Sequence, residues 1–140
     1  FEGRFLEVAE LTTWLLAADI FVTPYPNLEQ NVSGTLSYAM GAGKAIVSTP
    51  YTYARERLAQ GRGLRVEPGS TSSLTQALVE LARDEELRRE LGQRAYTYSR
   101  GMRWEEVAAA YRGVFDRVAP AAAQVDPSVD TAALLVAAGA

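Results

Sequence analysis

The chain has 140 residues, a net charge of −3, and neither cysteine nor histidine. That length supports one domain with a buried core, and the missing residue types exclude disulfides, thiolate zinc sites, imidazole bases, Ser-His-Asp triads and histidine metal ligands. No basic footprint for nucleic acid is visible, no apolar run is long enough to span a membrane, and no leader is evident, so the cytoplasm is the expected compartment.

Phe1 to Phe5 is short, and Phe5 is expected to pack inward. Between Glu7 and Ala18, the residues Val8, Leu11, Leu15 and Ala18 recur at three- and four-residue spacing, which predicts an amphipathic helix. Trp14 lies beside that face and is expected in the core. Ile20 to Val22, within Asp19 to Thr23, reads as a buried parallel strand. Pro24 and Pro26 stop it and hold the next residues extended. Tyr25 leaves the strand toward the end where ligands bind and is a candidate stacking residue.

The stretch Glu29 to Met40 holds most of the chemistry. Ser33, Gly34 and Thr35 open an apolar helical segment, Leu36 to Met40. The first N–H groups of a helix have no internal partner, and the helix dipole adds about half a positive charge there. A phosphate or diphosphate fits such an end. Glu29, in the preceding loop, offers a carboxylate to hydroxyl groups, and Gln30 and Asn31 are ordinary loop residues able to do the same. The alternative is purely structural: Ser33 as an N-cap contributing about 1 kcal/mol. Tyr38, inside the helix, is expected to pack with its hydroxyl in water.

Gly41 to Gly43 ends the helix, since glycine takes the left-handed conformation cheaply. Lys44, the only lysine, starts the next strand, Ala45 to Ser48, and is expected to be solvated. Thr49 to Tyr53 reads as a loop, Arg55 to Gln60 as a short helix with Glu56 at its start, Gly61 to Gly63 as a turn, and Leu64 to Val66 as a strand closed by Pro68 and Gly69. Ser70 or Thr71 caps a helix to about Ala82, with Leu74, Ala77, Leu78 and Leu81 inward. Glu85 to Tyr98 predicts a second helix with a solvated charged face, broken at Gly101. Trp104 to Val118 predicts a third, with Val107, Ala108, Tyr111, Val114 and Phe115 facing in. From Pro120 the composition turns to alanine. Residues 120–140 are expected to form an alanine-rich C-terminal tail, flexible over Ala121 to Asp130 and with a weak helix over Thr131 to Ala138. The fold class expected is α/β, a Rossmann-like parallel sheet with flanking helices.

Asp19 to Pro24, Glu29, Ser33 to Met40, Gly41 to Pro50, Glu56, Gly61 to Leu64 and Trp104 to Val107 together resemble the C-terminal domain of retaining GT-B glycosyltransferases of family four. The resemblance runs over about residues 5–117. It implies that residues 1–119 are part of a nucleotide-sugar-binding domain. The donor would be a nucleotide diphosphate sugar, with no metal and no further cofactor. The acceptor would sit on an N-terminal domain that this chain lacks, along with the first strands of the donor domain. Glu29 is implied to hold donor-sugar hydroxyls. The backbone of Val32, Ser33, Gly34 and Thr35 would cradle sugar and phosphate, with Asn31 and Leu36 beside them. The family's second glutamate, which bonds the ribose, is replaced here by Ser37, and the paired glycines after the next strand are replaced by Tyr51 and Tyr53. In the resembled enzymes the last helix crosses back to the N-terminal domain, so part of the Trp104 to Val118 stripe is expected to be exposed.

Two other readings use the same sequence: a nucleotide-sugar-binding module without catalysis, and a structural α/β subunit that needs none of these residues. By itself the chain is expected to be inactive as a transferase.

Overall fold

The computed structural model describes residues 3–118; the expected tail and its weak helix lie outside them. Residues up to Arg103 form one compact unit, and a second begins at Trp104.

The first unit alternates helix and strand. Its elements are α1 (Val8–Ala17), β1 (Ile20–Thr23), α2 (Gly34–Gly41), β2 (Ala45–Ser48), α3 (Thr52–Arg57), β3 (Leu64–Arg65), α4 (Thr71–Arg83) and α5 (Glu85–Ser99), followed by a 3-10 turn, Arg100–Met102. The strands form one parallel sheet in the order β1-β2-β3. Ile20 pairs with Ala45, Thr23 with Ser48, and Val47 with Leu64. This is the α/β architecture expected from the sequence.

Strand β2 is central and buried throughout. Its period of two sends Ile46 into a cluster with Leu15, Leu36, Met40, Tyr51 and Leu58. Ala45 and Val47 enter the opposite cluster, with Val66, Leu81 and Leu91. Helices cover both faces, so the strand reads as a continuous apolar run. Strand β1 is instead an edge strand: Val22 is exposed, where the sequence predicts burial.

Helix α1 presents only Leu11 and Leu15 to this core. Trp14 lies about 100° from Leu15 around the helix and is 54% exposed; Val8 and Phe5 are exposed as well. These three residues therefore do not have the core roles expected of them. Lys44 is not simply solvated: its Nζ donates to Leu16 O at 3.0 Å and satisfies a carbonyl at the end of α1.

Helix α2 ends as expected, with Gly43 in the left-handed region (φ 68°). Helix α5 carries a solvated face, including an Arg89–Glu85 pair at 3.0 Å. Its other face, Leu91, Gly92, Ala95 and Ser99, is buried and packs on α2 and β2. Ser70 caps α4 through Ser73 N, and Asp84 caps α5 through Leu87 N.

The second unit contains α6 (Trp104–Val118), which has no buried residue among those described. Of the stripe read as facing in, Val107 is half-buried while Ala108, Tyr111, Val114 and Phe115 are exposed, as the sequence led one to expect for part of it. Tyr111 and Phe115 cover each other, with ring centroids 6.3 Å apart. Among the described residues no helix is long and apolar enough to cross a membrane.

Candidate functional site

The carboxyl end of β1 leads through Pro24 to Val32 into the amino end of α2. Ser33 is extended (φ −152°, ψ 103°) and is the N-cap. Its Oγ accepts the N–H of Leu36 at 3.2 Å, and its carbonyl accepts the N–H of Ser37 at 3.2 Å. The N–H groups of Gly34 and Thr35 remain, the first two of the helix, and helix geometry gives them no internal partner. Both residues are exposed, and a Cβ added to Gly34 would meet nothing within 4 Å. This end of the helix therefore offers two N–H donors and open space to an anion.

The other expected site residues have different surroundings. Asn31 and Val32 are exposed beside the helix start. Leu36 is fully buried, so only its backbone belongs to the helix end. Ser37 is half-buried; its Oγ donates to Ser33 O at 3.1 Å and lies 2.8 Å from Tyr53 Oη. Glu29 is exposed, in a turn closed by its own N–H donating to Asn27 Oδ1 at 3.0 Å.

The loop is fastened from across the chain. Thr52 N donates to Leu28 O at 2.9 Å and Tyr53 N to Gln30 O at 3.1 Å. These bonds explain why α3 begins at Thr52 and not at Arg55: its first N–H groups find carbonyls in a distant loop. Glu56 therefore sits near the end of α3, not at its start, and is exposed with Arg57 Nη1 3.4 Å away. Beneath the loop, Thr49 Oγ1 donates to Tyr25 O at 2.6 Å and Ser48 Oγ to Thr23 O at 3.0 Å.

Behind α3 lies a cluster that no local motif announced. Arg62 is buried. Its guanidinium donates to Arg57 O, Gln60 Oε1 and Glu56 O at 2.6–2.8 Å and sits 4.0 Å from the Tyr98 ring centroid. It caps the carbonyl end of α3. Arg57 lies 4.8 Å over the Tyr53 ring and donates to Tyr98 Oη at 2.8 Å. Partial burial works against the Arg57 charge. The bond to Tyr98, the two phenols and Glu56 outweigh it and hold the guanidinium above its ordinary range.

A cleft of roughly 360 Å³ opens at the carboxyl ends of the three strands, walled by Pro24, Tyr25, Thr49, Val66 and Glu67. Open α/β sheets bind ligands at this edge. Tyr25 was expected near it, and its ring stands edge-on to Tyr51 at 5.3 Å. None of the residues from Asn31 to Ser37 lines this cleft. Among the described residues, no group of three or more acidic side chains comes together as a cation site.

A family model described as glycosyl transferases group 1 matches residues 1–84. An uncharacterized glycosyltransferase of Methanocaldococcus jannaschii is 28% identical over 89 residues, which cover 62% of this chain and 23% of that protein. Sucrose-phosphate synthase from Thermosynechococcus elongatus aligns with a TM-score of 0.63 at 20% identity, over 76% of this chain and 28% of that one. At that identity the likeness is one of fold. The chain spans about a quarter of the length of each relative.

Proposed function

The chain belongs to the glycosyl transferases group 1 family, and on that premise we propose that it binds the donor of a glycosyl transfer, a nucleotide diphosphate sugar. The observation that carries this reading is the amino end of α2. It puts two helix N–H groups and an open glycine next to the loop that holds Glu29. In the proposed reaction, the bond from the anomeric carbon to the diphosphate breaks, and its electron pair stays on the diphosphate oxygen. An acceptor oxygen bonds to that carbon and passes its proton to the departing diphosphate. Gly34 and Thr35 N–H groups, fixed in advance, stabilise the charge that develops. Glu29 holds sugar hydroxyls and so orients the anomeric carbon. Asn31 and Val32 flank the sugar, and Ser37 stands where the resemblance puts the ribose. Retention and metal independence are supported by the family resemblance alone. The acceptor would be bound by a separate N-terminal domain, and the cytoplasm is the compartment proposed.

Gly34→Pro tests the diphosphate site. Proline is favoured at the first helical position, and Ser33 already has the extended backbone that a following proline requires. The fold is retained while one proposed donor is removed. Titration with UDP, GDP and ADP should show affinity for the preferred nucleotide falling about tenfold or more, with an unchanged circular dichroism spectrum. Unaltered affinity in the folded variant rules out the helix-end site.

A further inference from the structure

Tyr53 reaches two parts of the candidate site, one with its backbone and one with its side chain. Its backbone N–H holds the loop at Gln30 O. Its phenol meets Ser37 Oγ in the first turn of α2, at 2.8 Å. Ser37 already donates its own hydrogen to Ser33 O, so in this arrangement the phenol is the donor. The chain of bonds therefore runs from Tyr53 through Ser37 to the carbonyl of the cap residue, and the cap hydroxyl in turn holds Leu36 N. Tyr53 is itself backed by the Arg57 guanidinium over its ring. Arg57 is tied to Tyr98 and so to α5, and Arg62, stacked on Tyr98, braces the end of α3.

We infer that Tyr53 is a positioning residue for the anion-binding turn: by donating to Ser37 it sets the first turn of α2 relative to the Glu29 loop. This role rests on the diphosphate reading of the helix end. The phenol acts through Ser37 and not by touching the phosphate. Helix α2 is only eight residues long. It has few internal bonds with which to fix its own first turn, so an outside donor has leverage on it. An anion site binds more tightly when its donors are held in place before the ligand arrives.

Tyr53→Phe keeps the ring, its stacking under Arg57 and the backbone bond to Gln30, and removes only the donor. Ser37→Ala removes the acceptor. The chain, both single variants and the double variant are titrated with inorganic diphosphate at a temperature where circular dichroism shows all four folded. Each single substitution should weaken binding roughly three- to tenfold. The double variant should be no weaker than Ser37→Ala alone, because Tyr53 acts on the turn only through the Ser37 hydroxyl that this variant already lacks. Independent, additive losses overturn the relay, as does wild-type affinity in Tyr53→Phe. If Gly34→Pro loses affinity while Tyr53→Phe does not, the diphosphate site stands and the positioning role falls. If the unsubstituted chain shows no saturable binding, the site and this role fall together.

Discussion

Helix α2 meets opposite surroundings at its two ends. At its carboxyl end, Gly43 turns the chain in the left-handed conformation, and Gly92 of α5 presses against it. A Cβ on Gly92 would overlap the Gly43 carbonyl oxygen, with the carbonyl carbon only 3.1 Å away. At its amino end, Gly34 has empty space around it. One glycine is there because two backbones touch; the other leaves room for something that is not protein. Glycine beside a helix end thus has two separable meanings, and only its neighbours distinguish them. The packed end anchors α2 to the core through Ala39 and Met40, both fully buried, which allows the other end to stay open without losing its position.

Three substitutions separate the two ends. The largest effect is expected at the closed one. Gly92→Ala forces either α5 or the Gly43 turn to move, because the obstacle is backbone and cannot rotate away. Overpacking of this kind costs about 3 kcal/mol at the upper end of its usual range. In a unit of this size, that lowers the melting temperature by roughly 12 °C or more. A shift of under about 3 °C in calorimetry would mean that the two glycines do not bear on each other.

Next in size is Glu29→Ala, on the loop beside the open end. The residue is exposed, so stability should stay within about 0.5 kcal/mol. Affinity for a sugar nucleotide should fall by about 1.5–3 kcal/mol, while affinity for the matching nucleoside diphosphate is nearly retained. Isothermal titration of both ligands decides this, and equal losses would move Glu29 away from the sugar.

The smallest effect belongs to Gly34→Ala. An added methyl meets no protein atom, and alanine restricts the unfolded chain. Stability should be unchanged or higher by up to about 1 kcal/mol. The N–H is kept, so any loss of diphosphate affinity, expected near tenfold or about 1.4 kcal/mol, reports steric exclusion alone. Full affinity would show that no ligand approaches this backbone closely.

Much of the fold was legible because its signals are local. The run Ala45 to Ser48, the caps Ser33 and Ser70, and the glycine ending α2 each depend on neighbours within about one helical turn. The open end of α2 was legible for the same reason. Trp14 misled because periodicity gives a face but not its width, and α1 covers the core with Leu11 and Leu15 alone. The bond that Lys44 adds to its solvent contacts is not legible in the sequence, because its acceptor, Leu16 O, is 28 residues away.

By itself the sequence determined the alternation of helix and strand, the central apolar strand and the position of a helix amino end after β1. These follow from side-chain periodicity and turn chemistry, which act over a few residues. Only the tertiary structure decided which glycine is filled and which is open, that α3 starts at Thr52, and that Arg62 is buried. It alone decided that Ser37 faces Tyr53, 16 residues on, and that Arg57 reaches Tyr98, 41 residues on. Those bonds exist because the sheet brings α2, α3 and α5 together, and a hydrogen bond forms only at contact distance. No spacing along the chain encodes that meeting.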